Sequence, residues 1–150
     1  DARGFKPEDF ARSHPGGALG RKLLTHVRDV MRSGDSLPRV LCGTSLRDAL
    51  LEMTQKGLGM TVVLQADGNL AGVFTDGDLR RTLDRGVDVL KASIDEVMTV
   101  HGKTARPDML AAEALKIMED HKINSLVVVD DQDRPVGALN MHDLLRAGVM

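Results

Sequence analysis

Two pairs of residues in this sequence combine a small polar side chain with a carboxylate three residues later. Thr75 and Asp78 stand where an apolar run gives way to a helical pattern, and Asn140 and Asp143 repeat the arrangement 65 residues later. A carboxylate can accept hydrogen bonds from a ribose diol, while free amides at a helix start can receive a phosphate. The same residues also suit plain helix capping, because Thr and Asn accept hydrogen bonds from those amides and an acid there is favourable. The residues alone leave capping and ligand binding equally open.

Both pairs belong to a longer internal repeat. The segment GVFTDGDLRR at residues 72–81 returns as GALNMHDLLR at residues 137–146, an offset of 65 residues. An earlier landmark, VRDVM at residues 27–31, returns as IDEVM at residues 94–98 with an offset of 67 residues. Because an internal repeat fixes the unit of folding, we expect two units of about 65 residues, each preceded by a lead-in turn.

The elements that must position these pairs can be predicted from the pattern of each unit. In the first unit, Ser45 is an N-cap with Asp48 in capping-box spacing, and Gly57 ends the amphipathic helix that follows. The first unit then reads as a strand over residues 37–41, a helix over 45–57, strands over 60–64 and 70–75 joined by a hairpin turn, and a helix from Asp76 towards Arg85.

The second unit repeats this order with a helix over residues 109–121, strands over 125–129 and 136–139, and a helix from about Met141. The join at residues 86–93 is too short for a free linker, so the two units should pack face to face. The fold class is therefore α/β (α+β), with two βαββα units. The predicted division is residues 1–25 as a tail and linker, 26–90 as the first domain and 91–150 as the second.

Composition excludes several classes of function. The net charge of −2 offers no basic field for a nucleic acid, and no apolar run approaches the ~20 residues of a membrane helix. The first residues lack the apolar stretch of a secretory signal, and a single Cys42 fits a reducing cytoplasm. The scattered histidines lack metal-ligand spacing. With no Trp or Tyr, any bound base would have to lie between aliphatic side chains and backbone.

The doubled motif resembles a tandem CBS-domain pair, or Bateman module, over roughly residues 26–150. The resemblance implies a pseudo-twofold pair whose clefts hold adenosyl or related nucleotides, with the Thr and Asp on ribose and phosphate. Carried over, the nucleotide-binding residues of the first cleft are Thr75, Asp78, Gly59, Met60 and Thr61. Those of the second cleft are Asn140, Asp143, Asn124, Ser125 and Leu126, where Asn140 departs from the usual Thr or Ser. Arg80, Arg81, His142 and Arg146 are candidate phosphate neighbours.

The amino-terminal residues resemble a second family. The run SHPGGALGR at residues 13–21 is similar to the end of the sugar-isomerase (SIS) domain in D-arabinose-5-phosphate isomerases, in which a CBS pair follows. Those enzymes interconvert D-ribulose 5-phosphate and D-arabinose 5-phosphate for Kdo and lipopolysaccharide synthesis. The resemblance implies an active-site role for His14 in the parent enzyme, whereas composition alone favours a solvent-facing turn residue. The phosphate loop and the other acid–base groups are missing, so this chain alone should be inert.

Two functional hypotheses follow from these resemblances. In the first, the chain is the nucleotide-sensing regulatory part of the isomerase and requires no cofactor, with AMP, ATP or CMP-Kdo as effector and the SIS domain of the same polypeptide as partner. In the second, it is an oligomerisation module with vacant clefts, a homo-oligomer formed through an apolar helix face. The leucines assigned to that face are Leu79, Leu83, Leu144 and Leu145. An independent hydrolase or transferase is disfavoured because no nucleophile–base pair appears.

Overall fold

The structure, a computed structural model, describes residues 24–149. His14 and most of the predicted tail lie outside these residues. The described part holds two three-stranded sheets and six helices. The first half contains α1 (Val27–Val30), a 3₁₀ turn (Gly34–Ser36), β1 (Arg39–Leu41), α2 (Leu46–Lys56), β2 (Met60–Leu64), β3 (Leu70–Thr75) and α3 (Asp76–Asp84). The second contains α4 (Ile94–Val97), β4 (Thr104–Ala105), α5 (Ala111–His121), β5 (Ser125–Val129), β6 (Pro135–Asn140) and α6 (Met141–Arg146).

The predicted fold class and the βαββα order of each unit are confirmed. In both sheets the first strand runs parallel to the second, and the second pairs with the third as an antiparallel hairpin. Gly57 ends α2 in the left-handed conformation, with φ of 66°, as its position predicted. Ser45 caps α2 by accepting from the Asp48 amide at 3.1 Å. Helix α5, the first long helix of the second unit, begins at Ala111, two residues later than predicted.

Alternation along the central strands gives each sheet two apolar faces. In β2, Val63 packs with α2 and Phe74 in the core of the first unit, whereas Met60 and Val62 face the other sheet. In β5, Leu126 and Val128 belong to the core of the second unit, whereas Val127 and Val129 join the layer between the sheets. Because strand side chains alternate, one apolar run supplies both a unit core and the contact between units.

Each lead-in helix packs on the opposite unit. Val27 of α1 is fully buried in the second core, and its amide donates to the carbonyl of Met109 at 2.8 Å. Ile94 of α4 is fully buried in the first core, and its amide donates to the carbonyl of Thr44 at 2.8 Å. The lead-ins are therefore exchanged between the units. The predicted domain boundaries at residues 25/26 and 90/91 stay predictions. Because the lead-ins cross, neither residues 26–90 nor residues 91–150 contain all the side chains of one core.

After each helix the crossing chain pairs with the outer hairpin strand of the sheet it reaches. The amides and carbonyls of Arg32 and Ala138 exchange two hydrogen bonds of 2.9 Å, and those of Thr99 and Val73 exchange bonds of 2.8 and 2.9 Å. Gly137 and Gly72, the first residues of the repeated motif, lie directly beneath the crossing chain. A Cβ on Gly72 would lie 2.7 Å from the Thr99 carbonyl oxygen, and one on Gly137 would lie 2.7 Å from that of Arg32. The motif glycine is thus explained by the close approach of the crossing chain.

The expected apolar helix face is wrong at one position. Leu144 is fully buried in the second core, while Leu83 and Leu145 are each 56% exposed. The reason is helical geometry: on the one-sided helix α6, Leu144 faces the sheet and the adjacent Leu145 must point away. None of the helices that the structure describes has the length and hydrophobicity that crossing a bilayer requires.

Candidate functional site

A cleft of about 560 Å³ opens beside the junction between β3 and α3. Both units and the crossing chain after α4 contribute to its wall. The first unit supplies Gly59, Met60, Val73, Thr75, Asp76, Gly77, Asp78, Arg80 and Arg81; the crossing chain supplies Thr99, His101, Gly102 and Lys103; the second unit supplies His121, Lys122, Ile123, Asn124, Ser125, Val127 and Asn140. We call this the first cleft. Its volume lies within the usual range of small-molecule sites, about 300–1,000 Å³.

The junction is built by a reciprocal cap. The Thr75 hydroxyl accepts from the Asp78 amide at 3.2 Å, and Asp78 Oδ2 accepts from the Thr75 amide at 3.0 Å. The threonine and the aspartate therefore hold each other, and the predicted capping role is present in the structure. No acceptor for the Gly77 amide is found among residues 24–149, and Gly77 lines the cleft. A free amide at the start of a nine-residue helix is a donor suited to an anion.

Two further groups meet the other oxygen of Asp78. Arg81 Nη2 donates to Oδ1 at 2.6 Å, and the hydroxyl of Thr99 donates to it at 3.0 Å. The Asp78 side chain is only 6% exposed, whereas that of Arg81 is 67% exposed. Arg81 is therefore the partner of Asp78 that a ligand can displace, while the Thr75 amide and the Thr99 hydroxyl remain to hold the carboxylate. Asp78 would then have an oxygen free to accept.

The strand end next to the junction is shaped by glycine. The Asp76 amide, the first of α3, donates to the Gly59 carbonyl at 3.0 Å, and the Asp76 carboxylate lies over Gly59. A Cβ on residue 59 would meet Asp76 Oδ2 at 2.5 Å. Gly59 therefore makes room for an acid at the wall of the cleft. The second unit repeats the backbone bond between Met141 and the Asn124 carbonyl at 2.9 Å.

Cationic side chains line the first cleft in excess. Arg80, Arg81, Lys103 and Lys122 stand against two carboxylates, so the wall carries two surplus positive charges in a chain whose net charge is −2. Arg80, Lys103 and Lys122 form no ion pair within residues 24–149. Lys122 also holds a positive φ of 56° at the position where the first unit has Gly57. A lysine in a conformation that glycine adopts more easily suggests a demand for its charge.

The structure brings most of the predicted site residues to this one cleft. From the predicted first cleft, the wall contains Gly59, Met60, Thr75 and Asp78, with Arg80 and Arg81. Asn124, Ser125 and Asn140 were assigned to the second cleft, but the structure places them at this same wall because the two units face each other here. Thr61 and Leu126 are buried: the Thr61 hydroxyl donates to the Val62 carbonyl at 3.1 Å, and Leu126 packs in the second core. Asp143, His142 and Arg146 do not line it. As nucleotide ligands, all of these residues remain predictions.

The second junction, between β6 and α6, has a different chemistry. Asn140 accepts from the His142 amide at 2.7 Å, one position earlier than the Thr75 bond. Asp143 instead receives Arg32 Nε on Oδ2 at 2.9 Å and Arg146 Nη2 on Oδ1 at 2.8 Å. The hydrogen bond from Arg32 lowers the pKa of Asp143 from its ordinary value; burial opposes this shift, and Arg146 adds to it. The second aspartate is therefore held by cations.

This lowered pKa predicts an acid-sensitive contribution to stability. A carboxyl whose pKa is lower in the folded chain than the unfolded value near 4 stabilises the fold above that value, and the contribution is lost as pH falls through the folded pKa. We expect Asp143→Asn to be less stable than the wild type at pH 6 and the difference to shrink towards pH 3. Urea unfolding followed by circular dichroism at each pH measures this.

The control for this experiment is Asp35→Asn. Asp35 is exposed and no hydrogen bond or ion pair of its side chain is found within residues 24–149. Its difference from the wild type should not change with pH. A pH-independent difference for Asp143→Asn as well would mean that Arg32 does not hold the carboxylate in solution.

Sequence reasoning missed the part of the cleft that lies outside the repeated motif. Thr99, His101 and Lys103 follow the second lead-in, and Lys122 follows α5. Asp76 stood inside the motif but was not assigned a place in the site. The crossing of the lead-ins brings residues 99–103 to the first junction, and no local pattern in the sequence indicates this crossing. Among the described residues, no group of three or more metal-ligating side chains is found.

The geometry of two βαββα units with exchanged lead-ins defines a known class. The chain belongs to the CBS domain family: the family model described as "CBS domain" matches residues 27–85 and 94–149. The pair arrangement is also that of solved CBS-pair proteins. CBSX2 from Arabidopsis thaliana in complex with AMP has a TM-score of 0.70 and 25% identity, covering 83% of this chain and 96% of that one.

The chain is similar to arabinose 5-phosphate isomerase KdsD from Pseudomonas aeruginosa, with 74% identity over 150 residues. The match covers 100% of this chain but 46% of that relative, so the chain spans less than half the length of the curated protein. KdsD from Escherichia coli K12 is 58% identical over 149 residues, with 45% of its length covered. A conserved protein from Pyrococcus horikoshii shares the fold, with a TM-score of 0.75, 27% identity, and coverage of 85% of this chain and 95% of that one.

Proposed function

We propose that this chain is the nucleotide-sensing regulatory part of an arabinose-5-phosphate isomerase and that the nucleotide binds in the first cleft. The observation that carries the proposal is the junction of Thr75 and Asp78, where a nearly buried carboxylate and the first turn of α3 line a cleft of about 560 Å³. Capping uses Asp78 Oδ2, while Oδ1 is held partly by the exposed Arg81. The cap and a ligand can therefore share one carboxylate.

The charge of the cleft supports a nucleotide bearing phosphate over a neutral nucleoside. Arg80, Lys103 and Lys122 have no ion-pair partner within residues 24–149, and a phosphate oxygen would give them one. Charge-assisted hydrogen bonds to phosphate are about twice as strong as neutral ones. The relative CBSX2, solved with AMP, supports the same ligand class. AMP and ATP are therefore the first effectors to test.

The apolar wall is suited to a base. Met60, Val73, Ile123 and Val127 line the first cleft, whereas Phe74 is fully buried in the first core. A base would lie between these aliphatic side chains, its ribose hydroxyls would donate to Asp78, and the phosphate would receive hydrogen bonds from Gly77 and the arginines. In this arrangement the base makes mainly apolar contacts, which discriminate poorly between adenine and cytosine. A cytidine nucleotide such as CMP-Kdo, the end-product candidate of the Kdo pathway, is then a second effector to test.

The parent activity belongs to the same proposal. The likeness to KdsD supports a polypeptide in which a SIS domain precedes this chain and interconverts D-ribulose 5-phosphate and D-arabinose 5-phosphate in the cytoplasm. His14 would serve in that active site. The segment leading out of the SIS domain enters α1, whose Val27 is buried in the second core. A nucleotide that favours one arrangement of the two units would move this segment, and a ligand can regulate only through such a difference.

Calorimetric titration tests the sensing function directly. We expect saturable heat with AMP, ATP or CMP-Kdo, and for AMP a dissociation constant at least 10-fold below that of adenosine, because the phosphate meets unpaired cations. Raising the salt concentration should reduce this advantage. Absence of heat with all three nucleotides, or equal affinity for adenosine and AMP, would refute the proposal.

A second candidate function is self-association through helices α2 and α3. A groove of about 460 Å³ lies along these helices and is lined by Leu50, Met53, Leu58 and Leu79, with Leu83 exposed beyond it. Met53 and Leu58 are buried at the base of the groove, while Leu50 and Leu79 are half-buried and Leu83 is exposed. Neighbouring apolar side chains that reach the surface are typical of interaction surfaces. Sedimentation of the chain with and without Leu83→Glu, in the absence of nucleotide, tests it. A monomer in both cases would remove this candidate.

A further inference from the structure

The two junctions differ at the residue that reaches each aspartate from the crossing chain. Thr99 and Arg32 occupy equivalent places, because each follows a lead-in methionine and each pairs with the outer strand of the opposite sheet. The Thr99 hydroxyl donates one hydrogen bond to Asp78 at 3.0 Å. Arg32 donates two to Asp143, from Nε at 2.9 Å and from Nη2 at 3.4 Å. A small neutral group at the first junction is thus replaced by a guanidinium at the second.

The guanidinium compensates for a cap that the second junction lacks. At the first junction Asp78 Oδ2 receives the Thr75 amide at 3.0 Å and the Thr75 hydroxyl at 3.2 Å. No corresponding bond joins Asp143 to the amide of Asn140, both of which the structure describes. Both oxygens of Asp143 are taken instead by arginines. To reach Asp143, a ribose diol would have to displace the largely buried Arg32 as well as the exposed Arg146, whereas at Asp78 it has to displace only the exposed Arg81.

Burial separates Arg32 from the arginine that a ligand could displace. The side chains of Arg81 and Arg146 are 67% and 64% exposed, whereas that of Arg32 is 28% exposed. Arg32 Nη1 also reaches the carbonyl of Lys56, at the end of α2 in the other unit, at 3.5 Å. Displacing Arg32 breaks two hydrogen bonds to Asp143 and one to a backbone carbonyl, whereas displacing the exposed Arg81 breaks one hydrogen bond to Asp78.

We propose that Arg32 closes the second junction from within, so that the chain takes one nucleotide, at the first junction, and not two. The proposal that Arg32 closes the second junction rests on the contacts of Arg32 alone. The proposal that one nucleotide binds per chain rests in addition on the nucleotide-sensing function proposed above. Arg32 is then the residue that makes a duplicated module asymmetric. Arg32→Thr, which copies the residue of the first junction, should open the second.

Carboxyl labelling tests the closure without any nucleotide. Carbodiimide with glycine ethyl ester modifies accessible carboxylates, and mass spectrometry gives the rate at each one. We expect Asp143 to label at least about five-fold faster in Arg32→Thr than in the wild type. Arg28→Thr, which removes an exposed arginine from the same lead-in, should leave that rate unchanged. Asp84, which is exposed and has no side-chain hydrogen bond or ion pair among the described residues, serves as the internal reference. Equal labelling of Asp143 in the wild type and Arg32→Thr overturns the closure.

Calorimetry with AMP as the probe then tests the number of nucleotides bound per chain. The expected stoichiometry is one per chain in the wild type and in Arg28→Thr, and two in Arg32→Thr. Two sites in the wild type, or one site in an Arg32→Thr protein whose Asp143 labels faster, overturns the proposal. No AMP binding in any of the three proteins refutes AMP sensing, while the labelling result still decides whether Arg32 closes the junction.

Discussion

Gly72→Ala is expected to lower the free energy of unfolding by about 2–4 kcal/mol, because the added methyl group has no room. Its Cβ would lie 2.7 Å from the Thr99 carbonyl oxygen and 2.9 Å from Met98 Sδ. The sulfur can shift, but the carbonyl belongs to a backbone held by two hydrogen bonds to Val73. Relief therefore requires the crossing chain to move away, which weakens those bonds and the burial of α4. A typical total stability of about 5–15 kcal/mol makes this a severe loss.

Urea unfolding of purified protein measures the effect, with Gly102→Ala as the matched control. A Cβ on Gly102 would meet only methyl groups of Thr99 and Val73, both at an ordinary 3.7 Å. Its effect should stay within about 1 kcal/mol. Gly137→Ala should behave as Gly72→Ala does, since its Cβ would meet the Arg32 carbonyl at 2.7 Å. If Gly72→Ala and Gly102→Ala had equal stability, the exchange of lead-ins would not be tight in solution.

Asp78→Ala is expected to weaken AMP binding about 100-fold or more. Each hydrogen bond to a charged acceptor contributes about 1.5–3 kcal/mol, and two ribose hydroxyls would lose theirs together, where 1.4 kcal/mol corresponds to a factor of ten. The alanine also removes one half of the cap, so a moderate loss of stability accompanies the loss of affinity. Calorimetry on protein shown to be folded by circular dichroism separates the two effects.

Asp84→Ala is the control for this substitution. Asp84 lies on the same helix, is exposed and makes no side-chain contact with residues 24–149 that would count as a hydrogen bond or ion pair. It changes the net charge by the same amount and should leave the AMP affinity within about three-fold of the wild type. A folded Asp78→Ala protein that still binds AMP as the wild type does would show that the junction is a helix cap and nothing more.

Local patterns predicted most of the fold because the determining interactions are local. Gly57 ends α2 through its own φ of 66°, and the alternation over residues 60–64 places Met60 and Val62 on one face of β2. The exchange of lead-ins could not be predicted in this way. It depends on pairings such as that of Arg32 with Ala138, which lie far apart in sequence and leave no periodic signal.

The site shows the same division. Thr75 and Asp78 were found because they form a short motif with a known geometry, and the structure holds them together. Asp143 was assigned the matching role from the repeat, although Asn140 beside it departs from the usual Thr or Ser. The difference comes from Arg32, which contacts Asp143 across 111 residues of sequence and lies outside either motif. Sequence repetition predicts equal backbones, whereas the chemistry of each junction depends on what crosses to it.

The exchanged lead-ins have a consequence for how the two copies can be separated. Val27 completes the second core and Ile94 the first. Cleavage of the chain between the repeats would therefore separate each core from one of its own helices. Each half alone would expose the apolar pocket that normally holds the lead-in helix of the other half. The two units should consequently unfold together in one cooperative transition.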